Sequence, residues 1–402
     1  MTKWERAALT HVKKHILRYG AAAVFLLSLW MRYSFWPLLN SDLVTMGSWV
    51  DAAREGGFRA LLAKIDYSPA YAYLFFLLGQ LPLPLTSFGL VKLMFVGFEY
   101  LCIGACVMLV YRLSDREERA GRAFAVFALL SLSPVMVLNA AAWGQCDAMY
   151  TLFVVLCVLM LVKNRPIPAL LFYAVALCLK LQAVFVLPAL LLYWLTQAKK
   201  SFLYLLVLPA LVWLSGLPLA FFGEGPWAAF STYGAQGGSQ LFWVTKNYPG
   251  FYALLGSMLD PFAHTDYGYF YLFIRYGLGL CAAALVAPCA LLVRRGARLE
   301  GRDLVLLFAW TALVCAFFLP YMHERYGMMG ETLLLCWVAL RKKPLYYGLW
   351  VASTVVTVFA YGNFLFEERI VPQQIGAFVN LGILMVLTAE LLKPAEVPAL
   401  VK

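Results

Sequence analysis

The chain has 402 residues, of which 63% are hydrophobic and only 13% charged, and its formal net charge is +11. This excludes an ordinary soluble globular domain, whose apolar share is nearer half. It also excludes nucleic acid as the reason for the positive charge, because Lys and Arg sit in short clusters between apolar runs, as cytoplasmic membrane loops do.

Apolar runs of roughly 17–25 residues, enough to cross about 30 Å of hydrocarbon, recur from end to end. No polar stretch is long enough to fold apart from them, so 1–402 reads as a single integral-membrane domain. The first run, 16–36, follows Lys13, Lys14 and Arg18 but is too long for a signal-peptide core and lacks a small-residue cleavage site. It is expected to remain as the first spanning helix. The basic clusters at the N-terminus, 112–122, 163–165, 199–200, 294–302, 341–343 and the C-terminal tail are placed on the cytoplasmic side. Every stretch between two clusters must then cross an even number of times. That holds for 123–162, folded back at WGQCD, for 169–197, folded back near LKLQ, for 202–293, for 304–340 around MHERY, and for 345–392. It fails before residue 112, where 16–36, 71–85 and 87–111 make three runs. The middle run is the shortest, about 15 residues, and the prolines of LPLPLTS end it, so it is assigned to a helix lying in the outer interface. The expected fold is an all-α polytopic membrane protein with about 12 transmembrane helices and two interfacial helices near the first outer loop (39–70), the second being 71–85. Both termini face the cytoplasm, and a second long outer loop covers 223–268. Nine cysteines lie mainly in apolar segments without Cys-x-x-Cys spacing and read as small core residues.

The unusual polar residues then fall on the outer face, where ionisable groups at membrane depth mark a site or pathway. In NSDLV, Asp42 directly follows the first helix, and 46–64 has helical periodicity with Trp49, Ala53, Phe58 and Leu62 on its apolar side. Asp42 reads either as a helix N-cap or as a functional acid; Asp66 reads as structural. Asp147 in WGQCD reads either as a helix-capping acid in a tight outer loop or as a functional acid. Lys180, with Gln182, lies inside apolar sequence and needs an anion or a water-filled cavity unless it snorkels outward. His323 and Arg325 of MHERY suit a phosphate, since a guanidinium donates two parallel hydrogen bonds; the plain alternative is a salt-bridged turn. Lys92 and Glu99, seven residues apart on one helical face, suggest an internal ion pair that orients their helix.

Asp42, GGFRAL, DYSPAYAYL, NAAAWGQCDAMYTLF, LKLQAVFVLPALL, KNYPGFYALLG and LPYMHERY, in that order, resemble the GT-C glycosyltransferases. The resemblance is greatest to the branch similar to the mannosyltransferases of glycosylphosphatidylinositol synthesis and their bacterial relatives. It implies the GT-C fold, two interfacial helices after the first span and a polyprenyl-phosphate sugar donor. NSDLV carries one acid rather than a D-x-D pair, which leaves a divalent metal, Mg or Mn, open. Transfer from a lipid phosphate needs a base for the acceptor hydroxyl and cations for the leaving phosphate. The expected base is Asp42. Lys180, Gln182, His323, Arg325 and Tyr326 are expected to hold the donor phosphate, and Asp147, Gln145 and Trp143 to position acceptor or donor hydroxyls. One carboxylate activating the acceptor opposite the leaving group implies inversion. The sugar would be a hexose, with mannose the leaning of the resemblance, passed to a lipid or glycan polymer acceptor on the outer face of a bacterial plasma membrane. A nucleotide-sugar donor is disfavoured, because no cytoplasmic segment can build a Rossmann domain. The rival reading is a flippase or transporter of lipid-linked sugars.

Overall fold

The computed structural model describes residues 1–239, 244–255, 267–341, 343–367 and 370–393. Among them the only regular secondary structure is helical. The chain opens with α1 (Lys3–Ser34), started by a reciprocal Thr2/Glu5 capping box. There follow α2 (Ser41–Leu62), α3 (Pro69–Gly79), α4 (Ser87–Leu113), α5 (Arg119–Ser131) and α6 (Pro134–Val137), which runs into a π-helical turn, Leu138–Trp143. Next come α7 (Asp147–Val162), α8 (Pro166–Leu179), the 3₁₀ turn Leu181–Val186 and α9 (Leu187–Thr196). Two 3₁₀ turns flank α10 (Val207–Gly216), and α11 (Ala228–Ser239) and α12 (Phe251–Leu254) lead to α13 (Tyr267–Arg294). The chain closes with α14 (Arg302–Phe318), α15 (Met328–Leu340), α16 (Pro344–Leu365) and α17 (Gln373–Leu391). Prolines begin α3, α6, α8 and α16, where a missing N–H costs nothing and the fixed φ suits the first turn.

Five helical segments are long and apolar enough to cross a membrane, and six if the pair Arg119–Ser131 and Pro134–Trp143, bent by 48°, is one span. With the shorter apolar helices beside them, they make this an integral membrane protein of many helices. The centre is formed by α14 and α15, buried along almost their whole length, with α7 packed between α4 and α8.

The expected helix at 46–64 begins earlier, at Ser41, and is interrupted at Gly57, whose φ of +69° no β-branched residue would tolerate. The expected helix at 71–85 begins at Pro69 and stops at Gly79, before the LPLP prolines. The loop expected over 223–268 lies partly outside the described residues, at 240–243 and 256–266; the C-terminal tail beyond 393 lies wholly outside them.

One pairing is corrected. Lys92 and Glu99 do not join each other. Glu99 takes Nε of Arg32 at 3.1 Å and a second bond from its Nη2, while Nη1 donates to Ser28 O and Ser131 O at 2.8 and 2.9 Å. Lys92 instead donates to the carbonyls of Phe35, Trp36 and Leu38 at 2.7, 3.1 and 2.6 Å. Three backbone carbonyls just past the last turn of α1 hold the ammonium, while Arg32 takes the Glu99 carboxylate.

Candidate active site

The site begins with a turn that ordinary helical geometry does not give. After α6 the backbone winds through the wider π turn to Gly144, which has φ +74°. That φ favours glycine, and a Cβ there would also press on Leu43 Cδ1 at 2.8 Å. The turn delivers Trp143 and Gln145 to the start of α2. There Asn40 is the N-cap, accepting from Leu43 N at 3.0 Å, and its amide donates to Ala142 O and Trp143 O at 3.1 Å each. With Asn40 capping, Asp42 is free of that duty. Its Oδ2 accepts from Trp143 Nε1 at 2.8 Å and Gln145 Nε2 at 2.7 Å. Among the described residues no hydrogen bond ends on Oδ1. Trp143 is itself fixed, stacked on Phe364 at 4.4 Å and edge-on to Tyr361.

Asp42 borders a cavity of about 570 Å³ whose wall also carries Gln145, Lys180, Gln182, His323, Arg325 and Tyr326. Sequence-distant segments thus meet at one end of the helices. Trp143 and Asp147 stand behind this wall. Asp147, fully buried, opens α7; its Oδ1 accepts from Lys180 Nζ at 3.0 Å and its Oδ2 from Asn139 Nδ2 at 3.0 Å. Arg325 Nε lies 3.5 Å from Oδ2, an ion pair without a hydrogen bond. The Asp147 oxygens are thus engaged by Lys180, Arg325, Asn139 and Tyr150. Lys180 reaches it because α8 ends at Leu179 and the backbone turns extended before the next 3₁₀ turn. The Arg325 guanidinium lies over the Trp143 ring at 4.9 Å, and the Lys180 ammonium is 5.4 Å from the Tyr326 ring.

The far wall is built by two extended segments. Tyr321 N donates to Val244 O at 2.8 Å, Lys246 N to Met322 O at 2.9 Å, and Glu324 N to Lys246 O at 3.0 Å. This pairing places Lys246 and Glu324 on the cavity, and neither had been given a role from sequence. Lys246 was visible as a lone cation in KNYPG, but only the pairing shows which way that stretch faces. Glu324 is buried, with Oε2 making no hydrogen bond, and burial pushes its carboxyl up to about 7 against the lowering pull of Arg325. His323 is held well below the usual imidazole range, first by burial and then by Arg325, Lys246 and Lys180, so it is neutral near pH 7. Burial lowers the Lys246 ammonium as well. Asp66 and Tyr67 complete the rim. No three His, Cys, Asp or Glu side chains come together as a cation site among the described residues.

The cavity therefore sets one carboxylate with a free oxygen across from a cluster of cations, the arrangement needed to deprotonate a hydroxyl while a phosphate departs. Residues 66–319, more than half of the chain, match the model of glycosyltransferase family 87. That stretch includes WGQCD, LKLQ and KNYPG and leaves Asp42 and the His323–Arg325 turn outside. No curated protein matches the chain.

Proposed function

Because the chain belongs to glycosyltransferase family 87, we propose that it moves a hexose, mannose being the first to test, from a polyprenyl-phosphate donor to a lipid or glycan acceptor, with inversion. The observation that carries this is Asp42 facing the Lys180 and Arg325 cations across one cavity. Asp42 Oδ1 takes the proton of the acceptor hydroxyl as the acceptor oxygen bonds to the anomeric carbon, and the bond from that carbon to the phosphate oxygen breaks on the opposite face. Trp143 and Gln145 hold Oδ2 and so aim Oδ1. Lys180, Arg325 and Lys246 offset the charge gained by the leaving polyprenyl phosphate; neutral His323, with Gln182 and Tyr326, donates hydrogen bonds to it. Asp147 keeps Lys180 and Arg325 aimed at the cavity. Glu324, which exchanges its proton near neutral pH, hydrogen-bonds a sugar hydroxyl.

The geometry also supports a particular placement in the membrane. Twelve apolar segments cross: α1, α4, α5 with α6, α7 to α10, and α13 to α17, while α2 and α3 lie in the outer interface. The turns that build the cavity gather at one end of the bundle and the basic clusters at the other, so the cavity opens on the extracytoplasmic side and both termini face inward. The family resemblance noted from the motifs supports the lipid-linked donor, and the cation wall supports a phosphate leaving group.

The test is a panel of radiolabelled polyprenyl-phosphate sugars presented to the protein in nanodiscs with lipid extract as acceptor. One sugar should transfer, yielding a product of opposite anomeric configuration. If none transfers and labelled lipid instead moves between leaflets of proteoliposomes, the flippase reading replaces this one.

A further inference from the structure

At the far end of α14 and α15 from the candidate active site lies a second cavity, about 540 Å³, walled by Arg122, Arg302, Arg341, Lys343 and one acid, Asp115. Arg302 begins α14, which at 17 residues is about 25 Å long, so the two cavities are separated by nearly a bilayer core. We propose that this second cavity binds a phosphate-bearing anion, and specifically the headgroup of an anionic phospholipid.

The cations come from three sequence clusters, 112–122, 294–302 and 341–343, brought together where α4, α5, α14 and α15 end. Positive clusters serve topology wherever they sit near a membrane surface; topology does not require them to share a cavity. Here they do. Arg122 is braced by Glu118 and by Leu340 O at 3.1 Å. Arg341 donates to Glu390 Oε2 at 3.1 Å and lies 5.8 and 5.6 Å from the rings of Trp337 and Tyr346. Arg302 Nε lies 3.8 Å from Asp303, and the Lys343 ammonium 5.8 Å from the Tyr346 ring. Glu118, Asp303 and Glu390 stand outside the wall and brace the cations, leaving Asp115 as the acid on the cavity itself. A guanidinium has five N–H donors, and such a braced arginine keeps several for a phosphate. A basic cavity between helix ends is the kind of place where anionic headgroups are held.

The experiment uses the full chain and native mass spectrometry from micelles doped equally with phosphatidylglycerol and phosphatidylcholine. The wild type should retain phosphatidylglycerol about tenfold over phosphatidylcholine, and Arg302→Gln/Lys343→Gln should lose that preference. Lys13→Gln/Lys14→Gln, removing the same charge from exposed positions on α1, should keep it. Lys343→Glu, at an exposed side chain, replaces the double variant should that not fold. Equal retention of both lipids by the wild type, or equal loss in the Lys13/Lys14 variant, overturns the proposal. A second arm follows thermal unfolding with inorganic phosphate. Stabilisation that depends on Arg302 and Lys343, without a lipid preference, assigns the same anion chemistry to a soluble phosphate.

Discussion

Asp42 and Asp147 are acids at the same end of the helices, and their surroundings give them different duties. Asn in place of Asp42 keeps the shape but cannot take a proton, so Asp42→Asn should cut single-turnover transfer by about 10²–10⁴ while leaving the melting temperature and donor affinity near normal. Asp147→Asn should do the reverse of a mild positioning loss. It strands Lys180 and Arg325 as neighbouring buried cations, a cost of about 3–5 kcal/mol, so stability and donor binding should fall together. Near-normal thermal unfolding of Asp147→Asn would refute that bracing role. Glu324 supplies a pH signature. Its folded pKa of about 7 exceeds the ordinary 4.5 because burial disfavours the carboxylate, with Asp42 and Asp147 adding to that and Arg325 opposing it. The neutral form thus favours folding: its contribution is whole below about 4.5 and is lost as pH rises through about 7. Stability should decline between pH 5 and 8 by up to about 3 kcal/mol from this group, and Glu324→Gln should flatten that limb. A limb unchanged in Glu324→Gln would assign it to other groups, His323 and Lys246 being the nearest titrating neighbours.

Among the elements, α1 is the least buried, and it is tied inward through Ser28, bonded to Tyr100 OH at 2.7 Å, and through Arg32. Arg32 joins it to Glu99 of α4 and to Ser131 at the end of α5, with both charged side chains buried. Glu99→Ala should therefore destabilise by about 3–5 kcal/mol, measured by thermal unfolding in detergent, whereas Glu99→Gln should cost less because it keeps an acceptor. Equal losses would mean that packing volume, and not the ion pair, holds α1. The seven-residue spacing of Lys92 and Glu99 correctly signalled two buried charges on one face, but the open carbonyls past α1 and the arginine of another helix cannot be seen along a single helix. The broad π turn before Gly144 was hidden for a similar reason. The sequence places the fold-back at WGQCD, but nothing in it marks the wider turn over Leu138–Trp143 that delivers Trp143 to Asp42.

For the molecule as a whole, orientation is the assertion most open to test. A cysteine at exposed Leu83, between α3 and α4, should react with an impermeant reagent from outside, and one at Glu117, between α4 and α5, only from the cytoplasm. Labelling of Leu83→Cys from within would turn α3 into a span and reverse the map. Hydrophobic run length determined membrane insertion, the helical class and the short helix before the LPLP prolines, because the cost of unpaired backbone in lipid leaves little else for such runs to become. The order of motifs determined the family expectation that the match over 66–319 supports at the level of a membrane glycosyltransferase. Local periodicity has no access to pairings across the bundle. Tertiary structure alone decided that Asp147 neutralises Lys180 and Arg325, and that Lys246 and Glu324 face the cavity. Each depends on charges more than 30 residues apart, or on a backbone turn whose reason lies in another segment. Burial then makes a partner's position worth several kcal/mol, and that position is absent from the linear order of residues.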